Sequence, residues 1–528
     1  MAIAREAYET LASIVGSKYI SEDPVVMEAY CGGRMGHGKD TCVDRVMNKL
    51  PTCVILPRTT KEVQAVVKVA NRYKVPFLPA STYWVTHCAA KRDDQMIIDL
   101  KRMNTLEIDE KNMYAVVGSG VIYSQLQEEA MKRGLYTTTP GGGAQVSVLA
   151  NHLVWGLSPL SFRNGLPTRR ILGVEWVLPD GEIVRLGSLS MGDDPYWGEG
   201  PGPDLRGMLR GWIGWFGSLG VVTRMAVKLL PFQPERLEMD GISPDTHLVF
   251  PTNRMRWYNF RMPDRRSMVE CMYEMGRCEI SAASTKVPIF WRYIARSKTK
   301  EDFWYQWGTD QARKDAENDH ILRVMIIGFT SEAQLEYEER VLMDIVVGKF
   351  GGKAGRTRQT DESWIKNADS AGMWWMTGGY VSVEGMVDTI DAAVKGGEAL
   401  AERKKDYTPP LMEDYGDPGW FQVSELGHMG YLEHLSYFDP DDNEENIHKF
   451  DEWVYLTIPK EDIKLGLYNA FKIYESPLEL TGKAYGPNVR NWMKKAKKIF
   501  DPNTLANPPV PADVDELVEK VDWLKKDW

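Results

Sequence analysis

Two hydrophobic periods alternate along the first part of the chain. TCVILPRTT (52–60) is a short apolar run that stops at a proline, which predicts a strand. In KEVQAVVKVANRYK (61–74), Val63, Val66, Val67 and Ala70 recur at helical spacing and predict an amphipathic helix. VPFLPAS (75–81), MIIDL (96–100) and YAVVGSGV (114–121) read as further strands, and YSQLQEEAMKRG (123–134) as a helix. In VEWVLPDGEIVRLG (174–187), Val174, Trp176 and Leu178 alternate with Glu175 and Val177 ahead of Pro179-Asp180-Gly181, the chemistry of a tight turn between two strands. GSLGVVTRMAVKLLP (217–231) is another glycine-containing apolar strand. Strands and helices in this order predict a sheet domain of the α+β or α/β type.

Beyond Pro231 the pattern changes. HLVFP, MVECMYEMGRCE, HILRVMIIGFT, SEAQLEYEERVLMDIVVGKFGG and the strand and helix within residues 377–404 fit a second domain with an antiparallel sheet. The tail KAYGPNVRNWMKKAKKIFDPNTLANPP (483–509) carries a basic amphipathic helix stopped at Asp501-Pro502-Asn503. The fold expected is α+β, in three stretches: 1–235, a cap at 236–455, and 456–528 returning to the first domain.

Composition narrows the function. At 528 residues the chain is long enough for two or three domains with sizeable cores. The 74 acidic residues outnumber the 64 basic ones, a formal charge of −10, which disfavours nucleic-acid binding and leaves an anionic substrate dependent on local Arg or Lys. Six cysteines (Cys31, Cys42, Cys53, Cys88, Cys271, Cys278) show no CxxC spacing, so no iron–sulfur cluster, structural zinc or other metal site is expected. MAIAREAYETLASIVG lacks the layout of a signal peptide and reads as an amphipathic helix. No run is long and apolar enough for a membrane span, and a cytoplasmic location with reduced thiols is the expectation.

Several pieces together, in order, resemble one family. They are PTCVILPRTTKEVQAVVKVANRYKVPFLPAST (51–82), VVGSGVIYSQLQEEAMKRGL (116–135), GGGAQVSVLANHLVWGLSPLSFRNG (141–165), the 174–187 hairpin and GSLGVVTRMAVKLLP. The C-terminal IFDPNTLANP (499–508) is similar to the closing FDPNGILNPGK of the same proteins. The family is the vanillyl-alcohol oxidase / p-cresol methylhydroxylase superfamily, and RLGSLSMGDDPYWGEGPGPDLRGML (185–209) looks like a stretch of its 4-phenol oxidizing branch. The resemblance implies a two-segment p-cresol-methylhydroxylase-type FAD-binding domain plus a cap.

It also implies FAD as cofactor and an oxidoreductase that passes a hydride from an alcohol, hydroxy-acid or aromatic substrate to flavin N5. Electrons would then leave to a separate acceptor protein or redox partner subunit, within a homo- or hetero-oligomer. Carried over position by position, Pro79, Ser81, Thr82, Gly142, Gly143, Ser147, Asn151, Gly156, Gly220 and Val221 are the residues expected against FAD. Glycines there allow backbone N–H groups to approach the diphosphate. Arg163 and Arg490 are the cations expected for a carboxylate substrate. His428 is a further catalytic candidate, through a His428/Glu433/His434 cluster similar to that of hydroxy-acid dehydrogenases.

Two departures leave alternatives open. After Pro79-Ala80-Ser81-Thr82 the family loop is rich in glycine, whereas residues 83–90 here are Tyr-Trp-Val-Thr-His-Cys-Ala-Ala. FAD binds through the Ser81 and Thr82 hydroxyls in a rebuilt loop, or His87 or Cys88 attaches it covalently, or the chain is an FAD-free, non-catalytic scaffold subunit of a larger redox complex. The acidic residue of the phenol-oxidizing branch falls at Val154 or Trp155, and its Tyr-Arg pair at Tyr474-Glu475, which argues against phenol oxidation.

Overall fold

The computed structural model describes residues 3–31, 49–83, 89–140, 143–155, 157–187, 203–211, 214–232, 254–355, 376–439, 443–465 and 488–508. Three sheets carry the architecture. The first contains β1 (Ile20–Ser21), β2 (Val54–Ile55), β3 (Phe77–Ala80) and β4 (Met96–Asp99) in the order β1-β2-β4-β3. β2 and β3 both run parallel to β4, and β1 pairs antiparallel with β2. β4 is buried at every position, as expected of a parallel strand covered on both faces.

Helix Thr60–Tyr73 connects β2 to β3. Thr59 caps its start by accepting from the Glu62 N–H, while the Glu62 carboxylate accepts from the Arg58 N–H, and Lys74 ends it in the left-handed conformation. Its buried stripe holds the predicted Val63, Val66, Val67 and Ala70, with each fully buried valine contributing about 1.5–3 kcal/mol.

The second sheet is built from β5 (Leu106–Asp109), β6 (Tyr114–Gly118), β8 (Ile171–Val177), β9 (Ile183–Leu186) and β10 (Val221–Lys228), and a two-strand ribbon pairs β7 (Leu135–Tyr136) with β11 (Leu230–Pro231). The order is β5-β6-β10-β8-β9, all antiparallel. β8 and β9 form the predicted hairpin. Gly181 sits at φ 90°, which its turn requires, and Gln64 and Asn71 of helix Thr60–Tyr73 donate to the carbonyls of Gly181 and Pro179. The first helix therefore fixes the hairpin tip, and Val177 and Val221 share the core of the first sheet.

The third sheet has seven antiparallel strands: β12 (Met255–Met262), β13 (Ala283–Val287), β14 (His320–Ile327), β15 (Lys353–Ala354), β16 (Gly379–Val387), β17 (Trp420–Ser424) and β18 (Met429–Phe438). Their order is β15-β12-β14-β13-β17-β18-β16. Helices Arg265–Arg277, Glu332–Met343 and Ile390–Lys404 build one aliphatic core against it. An aromatic cluster with Phe290, Tyr293, Trp307, Tyr431 and Tyr437 forms another.

The segment 157–166 joins the two halves. Leu157 packs into the aromatic cluster and Phe162 into the aliphatic core of the seven-stranded sheet. Helix Val489–Phe500 and the turn after it lie on the first two sheets, where Phe500 packs on the buried Trp176 and residues Leu505 and Asn507 pair with the Phe77 backbone. Among the described residues no helix is long and apolar enough to cross a membrane.

Candidate functional site

A cleft of about 160 Å³ opens where β3 ends. The carboxyl ends of parallel strands are where open sheets present ligand sites. Pro79, Ser81 and Thr82 form one side, and Leu149, Leu153 and Val154 of the helical stretch Val148–Trp155 face them. That stretch is α-helical at its start and π-helical from Asn151, a distortion frequent at functional sites. The far wall is the turn carrying Trp215, Phe216, Gly217 and Gly220.

Hydroxyl groups stitch the floor. The Ser119 Oγ donates to the Val222 carbonyl at 2.8 Å, the Ser147 Oγ donates to the Ser119 carbonyl at 2.8 Å, and the Ser147 N–H points at Thr82 Oγ1 at 3.4 Å. Ser147 also caps the helix by accepting from the Ala150 N–H. Three separated stretches of sequence are thus held at one polar end of an apolar cleft. Among the described lining residues Tyr83 is the one ionisable side chain. No described carboxylate lines the cleft to repel an anionic diphosphate.

The glycine-poor loop is explained in part by Tyr83. It adopts φ 54°, the left-handed conformation that glycine takes easily, and its ring packs edge-on against Tyr30 at 4.9 Å. Tyr30 is held in turn by Asp99 and Lys101. The edge-on contact with Tyr30 helps hold Tyr83 in this conformation.

Two glycines on the cleft's far side answer to packing. A Cβ on Gly217, which has φ 80°, would lie 2.3 Å from the Pro79 ring, and one on Gly220 would lie 2.3 Å from the Val177 carbonyl oxygen. The cradle therefore depends on close backbone approach at these two positions.

The residues singled out in the sequence divide as follows. Pro79, Ser81, Thr82 and Gly220 line the cleft, and Ser147 braces its floor. Gly143 lies beside it at φ 124°, closing a turn in which the Val146 N–H donates to its carbonyl. Asn151 turns the other way and donates from Nδ2 to the Tyr123 hydroxyl at 2.9 Å. Val221 is fully buried in the core between the first two sheets, while Val222 lines the cleft. Gly142, Gly156, His87, Cys88 and Tyr474 lie outside the described residues, as does the side chain of Arg490.

Arg163 is 2.7 Å from Glu338 and serves as a tie between the two halves. His428 is exposed at the turn into β18, while His434 is buried beside Asp414, so the two histidines and Glu433 do not form one cluster. Among the described residues no group of three or more His, Cys, Asp or Glu could hold a metal. Val154, one of the two positions for the implied acidic residue, is an apolar wall, and the side chain of the other, Trp155, lies outside the described residues.

Sequence reasoning missed the polar layer behind the cleft. His152 is buried, with Nδ1 2.7 Å from the Val148 carbonyl and 3.1 Å from the Tyr123 hydroxyl. The short approach to a carbonyl places the proton on Nδ1. Burial pushes its pKa down to about 4. Arg170 is also buried, and its Nη1 has no hydrogen-bond partner. Its charge further disfavours protonation of His152. Asn164, which accepts from the Tyr136 hydroxyl, belongs to the same layer.

Residues 51–187, which supply β2 to β9 and much of the cleft, match the FAD binding domain family. The glycolate oxidase subunit GlcD of Bacillus subtilis is 30% identical over 192 residues, 35% of this chain and 38% of that relative, so the chain matches well under half of its length. The D-2-hydroxyglutarate dehydrogenase of Stutzerimonas stutzeri is 23% identical over 480 residues, 87% of this chain and 90% of the relative. The crystal structure of p-cresol methylhydroxylase with substrate bound superposes with a TM-score of 0.74 at 18% identity, covering 96% of this chain and 97% of that one. The fold is that seen in p-cresol methylhydroxylase, and residues 51–187 match the FAD binding domain family.

Proposed function

We propose that this chain is an FAD-dependent oxidoreductase that oxidises an alcohol, hydroxy-acid or aromatic substrate and passes the electrons to a separate acceptor protein. The observation that carries this reading is the cleft itself. It lies at the carboxyl end of β3 within the matched domain, has apolar walls for a ring system, and ends in the Ser81 and Thr82 hydroxyls for a diphosphate. These residues fit FAD: neutral O–H and N–H donors suit an anionic diphosphate, and no described carboxylate opposes it.

When bound, FAD supplies the two-electron acceptor for the substrate C–H bond, and the protein supplies binding and orientation. In this chain Leu149, Leu153 and Val154 exclude water from one wall of the cleft, and Trp215 and Phe216 from the other. The chain Thr82–Ser147–Ser119 holds the polar end rigid, so little ordering remains to be done on binding. Similarity to oxidases and dehydrogenases named for 2-hydroxy acids supports a hydroxy acid as substrate class, and the p-cresol methylhydroxylase fold supports an aromatic one.

The test is the visible spectrum of the purified protein, followed by anaerobic reduction with a panel of D-2-hydroxy acids and 4-alkylphenols. Oxidised-flavin bands that bleach with one class support the reading and choose the class. A colourless protein that takes up no added FAD would sink it.

A further inference from the structure

The far wall of the cleft is held in a conformation that its residues do not favour. Phe216 has φ 45°, a left-handed value that is costly for a bulky residue and persists only where the surroundings enforce it. Phe216 lines the cleft and is only partly buried, and the next residue, Gly217, lies directly against the Pro79 ring.

What enforces this turn comes from the other end of the chain. Asn507 donates from Nδ2 to the Phe216 carbonyl at 2.7 Å and receives Gln95 Nε2 on its own Oδ1 at 3.2 Å. Lys497 is buried and donates to the Ser218 carbonyl at 2.6 Å, to the Asp501 carboxylate at 2.6 Å and to the Ala506 carbonyl. Asp501 accepts from the N–H groups of Leu505 and Ala506. The Leu505 carbonyl and the Asn507 N–H bond the Phe77 backbone at the start of β3. One compact knot therefore ties the strand leading to the cleft to the turn that walls it.

Resting on the FAD reading above, we propose that the turn Trp215–Gly220 is a pre-strained clamp in which Phe216 grips a planar heteroaromatic ring of the cofactor, and that Asn507 and Lys497 are the positioning residues that keep it closed. Strain of this kind is retained where a ligand benefits from it, and an aromatic ring on a ligand-lined wall suits stacking on a second flat ring.

The test uses the full-length apoprotein, with FAD affinity read by quenching of flavin fluorescence and fold integrity by the melting temperature of the apo form. Phe216→Gly relieves the backbone strain, so the apo melting temperature should hold or rise while the FAD dissociation constant weakens about tenfold. Phe216→Leu keeps apolar bulk without a flat face and should weaken FAD by several-fold. Asn507→Ala should weaken FAD although its side chain does not line the cleft and reaches it only through the Phe216 carbonyl. Competition with ADP and with FMN identifies the ring: loss of ADP affinity alone in Phe216→Gly assigns adenine, and loss of FMN affinity alone assigns the isoalloxazine. Wild-type FAD affinity in both Phe216 variants overturns the clamp. A wild-type apoprotein that binds no FAD overturns the clamp and the cofactor reading together, and the two failures are told apart by the wild-type titration.

Discussion

Arg163 Nη1 lies 2.7 Å from Glu338 Oε1, joining the helix that follows the cleft to helix Glu332–Met343 of the seven-stranded half. Glu338 is almost fully buried, and it also accepts from the Ser281 N–H and from Gln334. The guanidinium is about a quarter exposed, so its solvent-screened share of this network is modest. Arg163→Met should cost about 1–2 kcal/mol, because the carboxylate keeps its two other donors. The melting temperature should fall while the KM for substrate stays unchanged. A rise in KM with unchanged stability would return Arg163 to the role of a substrate cation.

The backbone approach at the cleft predicts a sharp contrast between two glycines. In Gly217→Ala the new Cβ would press into the Pro79 ring at 2.3 Å from a residue held at φ 80°. The expected cost is about 1–3 kcal/mol, together with a weakened FAD affinity. Gly207 lies in helix Arg206–Leu209, and a Cβ there meets nothing within 4 Å. Gly207→Ala should therefore leave both melting temperature and affinity at or slightly above the parent values. Equal behaviour of the two variants would contradict this account of the far wall.

His152 gives a pH dependence with a definite sign. Burial lowers its pKa to about 4 from an ordinary value of about 6.5. Between those values the unfolded chain takes up a proton that the folded one refuses. Stability is then fully present above about pH 6.5 and falls as pH drops through the window towards 4. The loss approaches about 3 kcal/mol at the bottom of the window. Unfolding at pH 7 and pH 4.5 should show this slope in the parent and a flatter one in His152→Gln. A parallel slope in the variant would assign the effect to other groups.

Some of these features are written in the local sequence and others are not. The helical stripe of Val63, Val66, Val67 and Ala70 and the 174–187 hairpin were legible because each buries one continuous face. The order of cleft-forming loops was legible because turn glycines mark them. Val221 shows the limit: side chains alternate along β10, so a shift of one residue separates the cleft-facing Val222 from a core valine. Asn151 shows another, since nothing in its neighbours says that its amide turns to Tyr123. Arg163 and Asn507 have partners far away in sequence, and no local pattern announces such pairs. β7, β11 and β15 are two residues each, too short to show a period.

The buried charges under β18 allow a last test. Lys404 Nζ lies 2.7 Å from Asp414 Oδ1 and also donates to the Leu435 carbonyl, and both side chains are almost wholly buried. His434 approaches the other Asp414 oxygen at 3.4 Å. Burial alone would raise the Asp414 carboxyl, yet Lys404 and His434 overcome this and hold it below its ordinary range, so the carboxylate is charged at neutral pH. Burial also lowers His434, which leaves Lys404 as the counter-charge. Lys404→Met strands that charge and should cost about 3–5 kcal/mol, and Asp414→Leu strands the ammonium at similar cost. The double variant Lys404→Met/Asp414→Leu strands neither, so its loss should fall well short of the sum of the two. The coupling, read from denaturant unfolding of all four proteins, should exceed about 1 kcal/mol. Strict additivity would mean that the pair does not stabilise the seven-stranded half as a unit.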